Sequence, residues 1–187
     1  MTTDRVGDWM QTYTGKQFWP LDPRPEEIDI LDIASALSKI CRFGGHTRRF
    51  YSVAQHSCIV ADILLERGYS NDVAFGGLMH DSAEAYIGDI IRPLKRQESF
   101  AFYNAAESTL LGQIQQRFHL VIDWAAVNVA DNIALATEKR DVMGPAPAAW
   151  VPMPDPRHYP IVPTQSGTAE IDFLSRFRYF YKGDAQG

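Results

Sequence analysis

Cysteine is scarce in this sequence, which has only Cys41 and Cys58. Two thiols cannot build the disulfide framework of a small secreted domain, and both fall on apolar faces of expected helices, where they read as small core residues. Long apolar runs are missing as well: none approaches the roughly 18 residues needed to cross a bilayer. The amino terminus, "MTTDRVGDWMQTYTG", lacks a basic segment followed by an apolar one, so the expected location is the cytoplasm. Positive charge is also short, with 18 Lys and Arg against 23 Asp and Glu, a net charge of −5 and a pI near 5.5. That balance leaves no basic field for polymeric nucleic acid or an anionic membrane. A small phosphorylated ligand is still admissible, because it needs only a local cluster of cations. There is no internal repeat.

The apolar content, 45% of 187 residues, suits one globular domain spanning 1–187, with its core at about 29–143. The pattern predicts a mainly α, single-domain helical bundle. "QTYTGKQFWPL" has two short β-favouring runs about a Thr-Gly turn and predicts a small amino-terminal hairpin. Ile30, Ile33, Ala34, Leu37, Ile40 and Cys41 recur at helical spacing, predicting a helix over 29–43 that the glycines of "FGGHT" end. A second helix starts at Ser52, which with Gln55 fits a capping box, and stops at Gly68. A third runs from the Ser70 or Asn71 cap through about Tyr86 to Gly88, a long amphipathic segment covers 97–118, and Asp123 caps another through "WAAVNVADNIALATEKRDVM". Most of the prolines gather in 144–163, which excludes helix and central strand there. That segment is too aromatic for a free linker and is expected to drape over the helical body. A carboxy-terminal helix over 166–182 places Phe173, Phe177 and Phe180 on one stripe, read as core.

One stretch departs from this apolar economy. In "MHDSAEAYIGD" a helix expected to enter the core carries His80, Asp81 and Glu84 on one face, with Asp89 after a glycine. Buried unpaired, such groups are strongly destabilising, and a divalent cation is the natural partner of an imidazole beside a carboxylate. Two other polar residues sit in apolar helices: His56 in "YSVAQHSCIV" and Asp131 in "VNVADNIAL". Each alone reads as a satisfied core residue. Together with His80 and Asp81 they read as a metal site.

The order His56, then His80-Asp81, then Asp131, on three helices of an α-rich domain, resembles the HD superfamily of metal-dependent phosphohydrolases. "HDSAEAYIGDI" followed by "RPLK" is similar to the corresponding segment of the bacterial 5'-deoxynucleotidases of the YfbR type and of related phage dATP triphosphohydrolases. "CRFGGHTRRFYSVAQHS" resembles their Arg-aromatic pair followed by a ligand histidine. The resemblance spans roughly residues 30 to 140. It implies an HD-type bundle in which His56, His80, Asp81 and Asp131 bind one divalent transition metal. Glu84 and Asp89 would be the catalytic carboxylates, Arg42 and Lys95 phosphate contacts, and Phe43 an aromatic neighbour of the nucleoside. The family often has Trp where this chain has Phe43, a position that helps the deoxynucleotidases distinguish deoxyribose from ribose. His46, Arg48 and Arg49, just before the second helix, form either a solvated loop or a phosphate-facing one.

Two imidazoles and two carboxylates would leave an octahedral ion with open positions for water and a phosphate oxygen, and the mixed donor set suits Mn, Fe, Co, Ni or Zn. The expected activity is therefore release of phosphate from nucleotides, deoxynucleoside 5'-monophosphates first. The alternatives are a deoxynucleoside triphosphohydrolase, a metal- and nucleotide-binding sensor without turnover, and a helical scaffold without metal. The resemblance also implies a homodimer.

Overall fold

The computed structural model describes residues 5–183 and is mainly helical, as the periodicity predicts. Strands β1 (Met10–Gln11) and β2 (Gln17–Phe18) pair antiparallel in the expected hairpin. Asp32 locks the hairpin to the first helix by accepting from the backbone N–H and the hydroxyl of Thr14, at 2.6 and 3.0 Å. Phe18 is fully buried and stacks on Tyr86 with ring centroids 4.1 Å apart.

Eight α-helical segments follow: α1 (Ile30–Lys39), α2 (Val53–Glu66), α3 (Asn71–Met79), α4 (Glu84–Ile87), α5 (Arg92–Lys95), α6 (Ala101–Phe118), α7 (Trp124–Asp141) and α8 (Ser166–Phe180). Helix α2 is the pivot, packed against α1, α3, α7 and α8. Its cap is half of what the sequence predicts. Ser52 Oγ accepts from the Gln55 N–H at 3.2 Å, but the Gln55 side chain turns away, donating to the Val162 carbonyl and accepting from the Thr164 N–H. Gln55 thus holds the proline-rich segment instead of closing the box. Ile161 is buried and its N–H donates to Asp141, and the Arg157 N–H donates to Thr137, so the segment is draped over α2 and α7 as expected.

Three helix limits differ from expectation, one of them at α6, which starts at Ala101 after a 3-10 turn at Glu98–Phe100 rather than at 97. Helix α1 stops at Lys39, because Cys41 leaves the helix to form an antiparallel bridge with Ser52, with Arg42 donating to Tyr51 O and Val53 to Ile40 O. Cys41 is therefore a half-buried bridge residue rather than a helical one; Cys58, in α2, is buried, and both are free thiols. Beyond the bridge, Phe43 adopts a left-handed conformation (φ 57°), strained for a side chain with a Cβ. The helix expected over 70–86 is also interrupted at 80–83. There His80 Nδ1 takes the Gly77 carbonyl (2.7 Å) and Ser82 Oγ takes that of Met79 (2.6 Å). Side chains that capture helix carbonyls displace the regular ladder, and the backbone tightens to i→i−3 bonds at Ser82, Glu84, Ala85 and Tyr86.

Gly77 allows α3 to approach α2 closely, since a Cβ there would collide with Leu64. The stripe on α8 is core: Phe173, Phe177 and Phe180 are buried, and Phe177 meets Phe75 and Phe118 edge-on at 5.5 and 5.1 Å. Among the described residues, no helix is long and apolar enough to cross a membrane.

Candidate metal centre

The four residues expected as ligands converge from α2, the α3–α4 turn and α7. Ligand atoms of His56, His80 and Asp131 all lie within 4.8 Å of one another. Asp81 joins them: its Oδ2 is 3.2 Å from His80 Nε2 and 3.5 Å from His56 Nε2, while Asp131 Oδ1 is 3.3 Å from His56 Nε2. Ligands about 2.1 Å from a shared ion stand about 3 Å apart when adjacent and about 4.2 Å apart when opposite, so these spacings need little adjustment.

Both imidazoles are turned the same way. His80 Nδ1 is 2.7 Å from the Gly77 carbonyl, which can only accept, so Nδ1 carries the proton. His56 Nδ1 is 2.7 Å from Glu138 Oε1. Glu138 also accepts from Tyr51 Oη at 2.9 Å and from Arg42 at 3.2 Å. Burial opposes ionisation of Glu138, but Arg42 and His56 outweigh it and hold its pKa down at about 2, so it too is an acceptor. The tautomer that results directs the lone pair of each Nε2 toward carboxylate oxygens. His56 Nε2 is buried and, although 3.3 Å from Asp131, lacks hydrogen-bond geometry to any partner. A lone pair facing two carboxylates is repulsive unless a positive species lies between them. A proton is one such species: burial and Arg42 pull the His56 pKa down, but Glu138 and Asp131 prevail and push it up to about 9. Asp81 and Asp131 are half-buried, and that desolvation favours their neutral forms, yet the histidines hold both below the usual carboxylate range. An orphaned buried nitrogen ringed by carboxylates is compatible with a divalent cation.

The remaining expected residues divide. Glu84 is buried, with Oε1 3.1 Å from Lys95 Nζ and Oε2 unpartnered. Burial, then Asp81 and Asp89, push its pKa well up, with Lys95 opposing. Asp89, half-buried beyond the left-handed Gly88, is raised chiefly by burial. Arg42 joins the cluster, 3.6 Å from Asp81, with Phe43 beside its guanidinium. Lys95 lies between Glu84 and Glu107, the latter at 2.7 Å. His46, Arg48 and Arg49 are exposed and, among the described residues, make no ion pair with the cluster; Arg49 borders a surface hollow of about 470 Å³ beside Phe50 and the start of α8.

Sequence reasoning missed Glu138, Tyr51, Glu107 and Arg92. Glu138 had a signal, since it lies two turns beyond Asp131 on the same face of α7, but it sits in the charged run "EKRD", where a solvated helix end is the default. Nothing in the sequence marks the other three.

No protein-family model matches the chain. It is similar to the uncharacterized protein YfdR of Escherichia coli, 35% identical over 173 residues that span 90% of this chain and 93% of YfdR. It is also similar to the uncharacterized protein RCAP_rcc00048 of Rhodobacter capsulatus, 29% identical over 145 residues, 73% of this chain and 74% of that one.

Proposed function

The chain belongs to the same family as Escherichia coli YfdR, and we propose that it is a metal-dependent phosphohydrolase of the HD type that releases phosphate from nucleotides, deoxynucleoside 5'-monophosphates first. The observation that carries this reading is the buried, unpartnered Nε2 of His56, turned by Glu138 toward Asp81 and Asp131 beside a second imidazole turned the same way. His56, His80, Asp81 and Asp131 would hold one divalent transition metal. Bound there, the ion would polarise a phosphoryl group and acidify a water molecule.

The protein's own groups complete the chemistry. Burial and two neighbouring carboxylates favour the protonated form of Glu84, the state a general acid needs before it gives a proton to a departing oxygen. Asp89, also raised by burial, is the second carboxyl available for proton exchange. Arg42, fixed by Glu138 and Asp81, places a permanent positive charge at the cluster to balance a phosphate.

Elemental analysis of protein purified without chelators should find about one divalent ion per chain. A screen of deoxy- and ribonucleotide mono-, di- and triphosphates with each divalent metal, resolving phosphate, pyrophosphate and tripolyphosphate, then identifies the substrate. Consumption of deoxynucleoside triphosphates but not monophosphates would make the protein a triphosphohydrolase. Metal-loaded protein that releases none of the three products from any nucleotide would refute the reading. Glu84→Ala should keep the metal and lose turnover.

A further inference from the structure

Among the described residues three cations border the cluster, and they are not equally free. The Arg42 guanidinium is committed to Glu138 at 3.2 Å and Asp81 at 3.6 Å. Lys95 Nζ is committed to Glu84 at 3.1 Å and Glu107 at 2.7 Å. Among the described residues the side chain of Arg92, the first residue of α5, makes one polar contact, 3.4 Å to Asp131 Oδ2, and it is 53% exposed. Asp131 presents its other oxygen to His56 Nε2. The Arg92 guanidinium therefore stands one carboxylate away from the cluster, on a side that solvent reaches, with most of its five N–H donors unused. The backbone that carries it is anchored: Tyr103 Oη donates to Gly88 O at 2.5 Å and Asn104 to Lys95 O at 2.9 Å. A fixed backbone with a free, forked side chain suits capture of a phosphate arriving from solvent.

We propose that Arg92 is a substrate-binding residue of this site and docks the phosphate by a bidentate contact, while Lys95, saturated by two glutamates, serves to hold Glu84. The identity of the ligand as a nucleotide phosphate rests on the phosphohydrolase reading. The role of Arg92 as an anion contact rests on its own geometry. A guanidinium fork matches two phosphate oxygens where an ammonium offers a point charge, so lysine should replace it only in part.

The test is titration of inorganic phosphate, by calorimetry, into the full chain with and without Mn²⁺, for wild type, Arg92→Ala and Arg92→Lys, alongside titration of Mn²⁺ itself. Arg92→Ala should weaken phosphate binding about tenfold or more and leave the affinity for Mn²⁺ within about twofold, with Arg92→Lys between. With a hydrolysed nucleotide, the loss should appear in KM more than in kcat. Three results would overturn the proposal: no phosphate binding by wild type in either condition, phosphate affinity of Arg92→Ala within twofold of wild type, or a loss that merely follows weakened Mn²⁺ binding, as a simple counter-ion of Asp131 would give. Wild type that binds phosphate through Arg92 but turns over no nucleotide would sink the phosphohydrolase reading and leave this one standing.

Discussion

Around Phe75, Phe118, Phe177 and Phe180 the interior is packed ring against ring, with Phe173 buried on the same helix as the last two, whereas around His56 and Glu138 equally buried space is filled by imidazole, guanidinium and carboxylate groups. In the aromatic region each contact is weak and nondirectional, so a loss scales with the volume removed. In the polar region groups are held by named partners, with His56 Nε2 left over. Glu138 answers Tyr51, His56 and Arg42 together, and removing it strands Tyr51 Oη and His56 Nδ1 and leaves Arg42 only Asp81. The first region tolerates approximation, and the second does not.

The contrast can be tested from its strongest consequence downward. Phe173→Ala should cost about 3–5 kcal/mol in chemical denaturation. Metal affinity measured below the new transition should stay unchanged; a loss of metal binding there would mean the two regions are one cooperative unit. The polar region should instead show itself in pH. His56, at about 9 in the ion-free fold, lies above an ordinary imidazole near 6.5, so its protonated form stabilises the fold fully below about pH 6.5. That contribution, on the order of 3 kcal/mol, is lost as pH rises through about 9. Thermal melts of chelator-treated protein should therefore fall between pH 6.5 and 9, and saturating metal, which takes the proton's place, should flatten the decline. Glu138→Gln keeps the shape but removes the charge that sets the His56 tautomer, and it should weaken metal binding about 10–100-fold by calorimetry. Glu138→Ala should be worse in stability but no more informative about the ion. The smallest effect is expected at the start of α2, where Ser52→Ala removes the cap and should cost about 1 kcal/mol. A cost several times larger would show that the Cys41–Ser52 bridge, one residue from Tyr51, carries strain into the cluster.

Much of the architecture was legible. The hairpin about the Thr-Gly turn, the Ser52 and Asp123 caps and the phenylalanine stripe on α8 are where local chemistry puts them. Errors came where a side chain or a distant strand competed for helix carbonyls and N–H groups. His80 and Ser82 broke the third helix by taking the carbonyls of Gly77 and Met79, and the bridge to Ser52 ended α1 early. The site was legible in composition: His56, His80, Asp81 and Asp131 do meet. The pairing that governs them was not. Lys95, read as a phosphate contact, lies between Glu84 and Glu107, and Arg92, read as nothing, has the free donors.

Periodicity, caps and turn residues are interactions among neighbours in the chain, and so the sequence by itself determined the helices and the polar residues that enter the core. Which charge answers which is a matter of distance through space. Arg42 and Tyr51 reach Glu138 from the far side of the chain, His56 reaches Asp131, and Arg92 reaches the same aspartate from α5. Only the packing of α2 against α3 and α7 brings those groups within a few ångströms, where burial makes each pairing decisive.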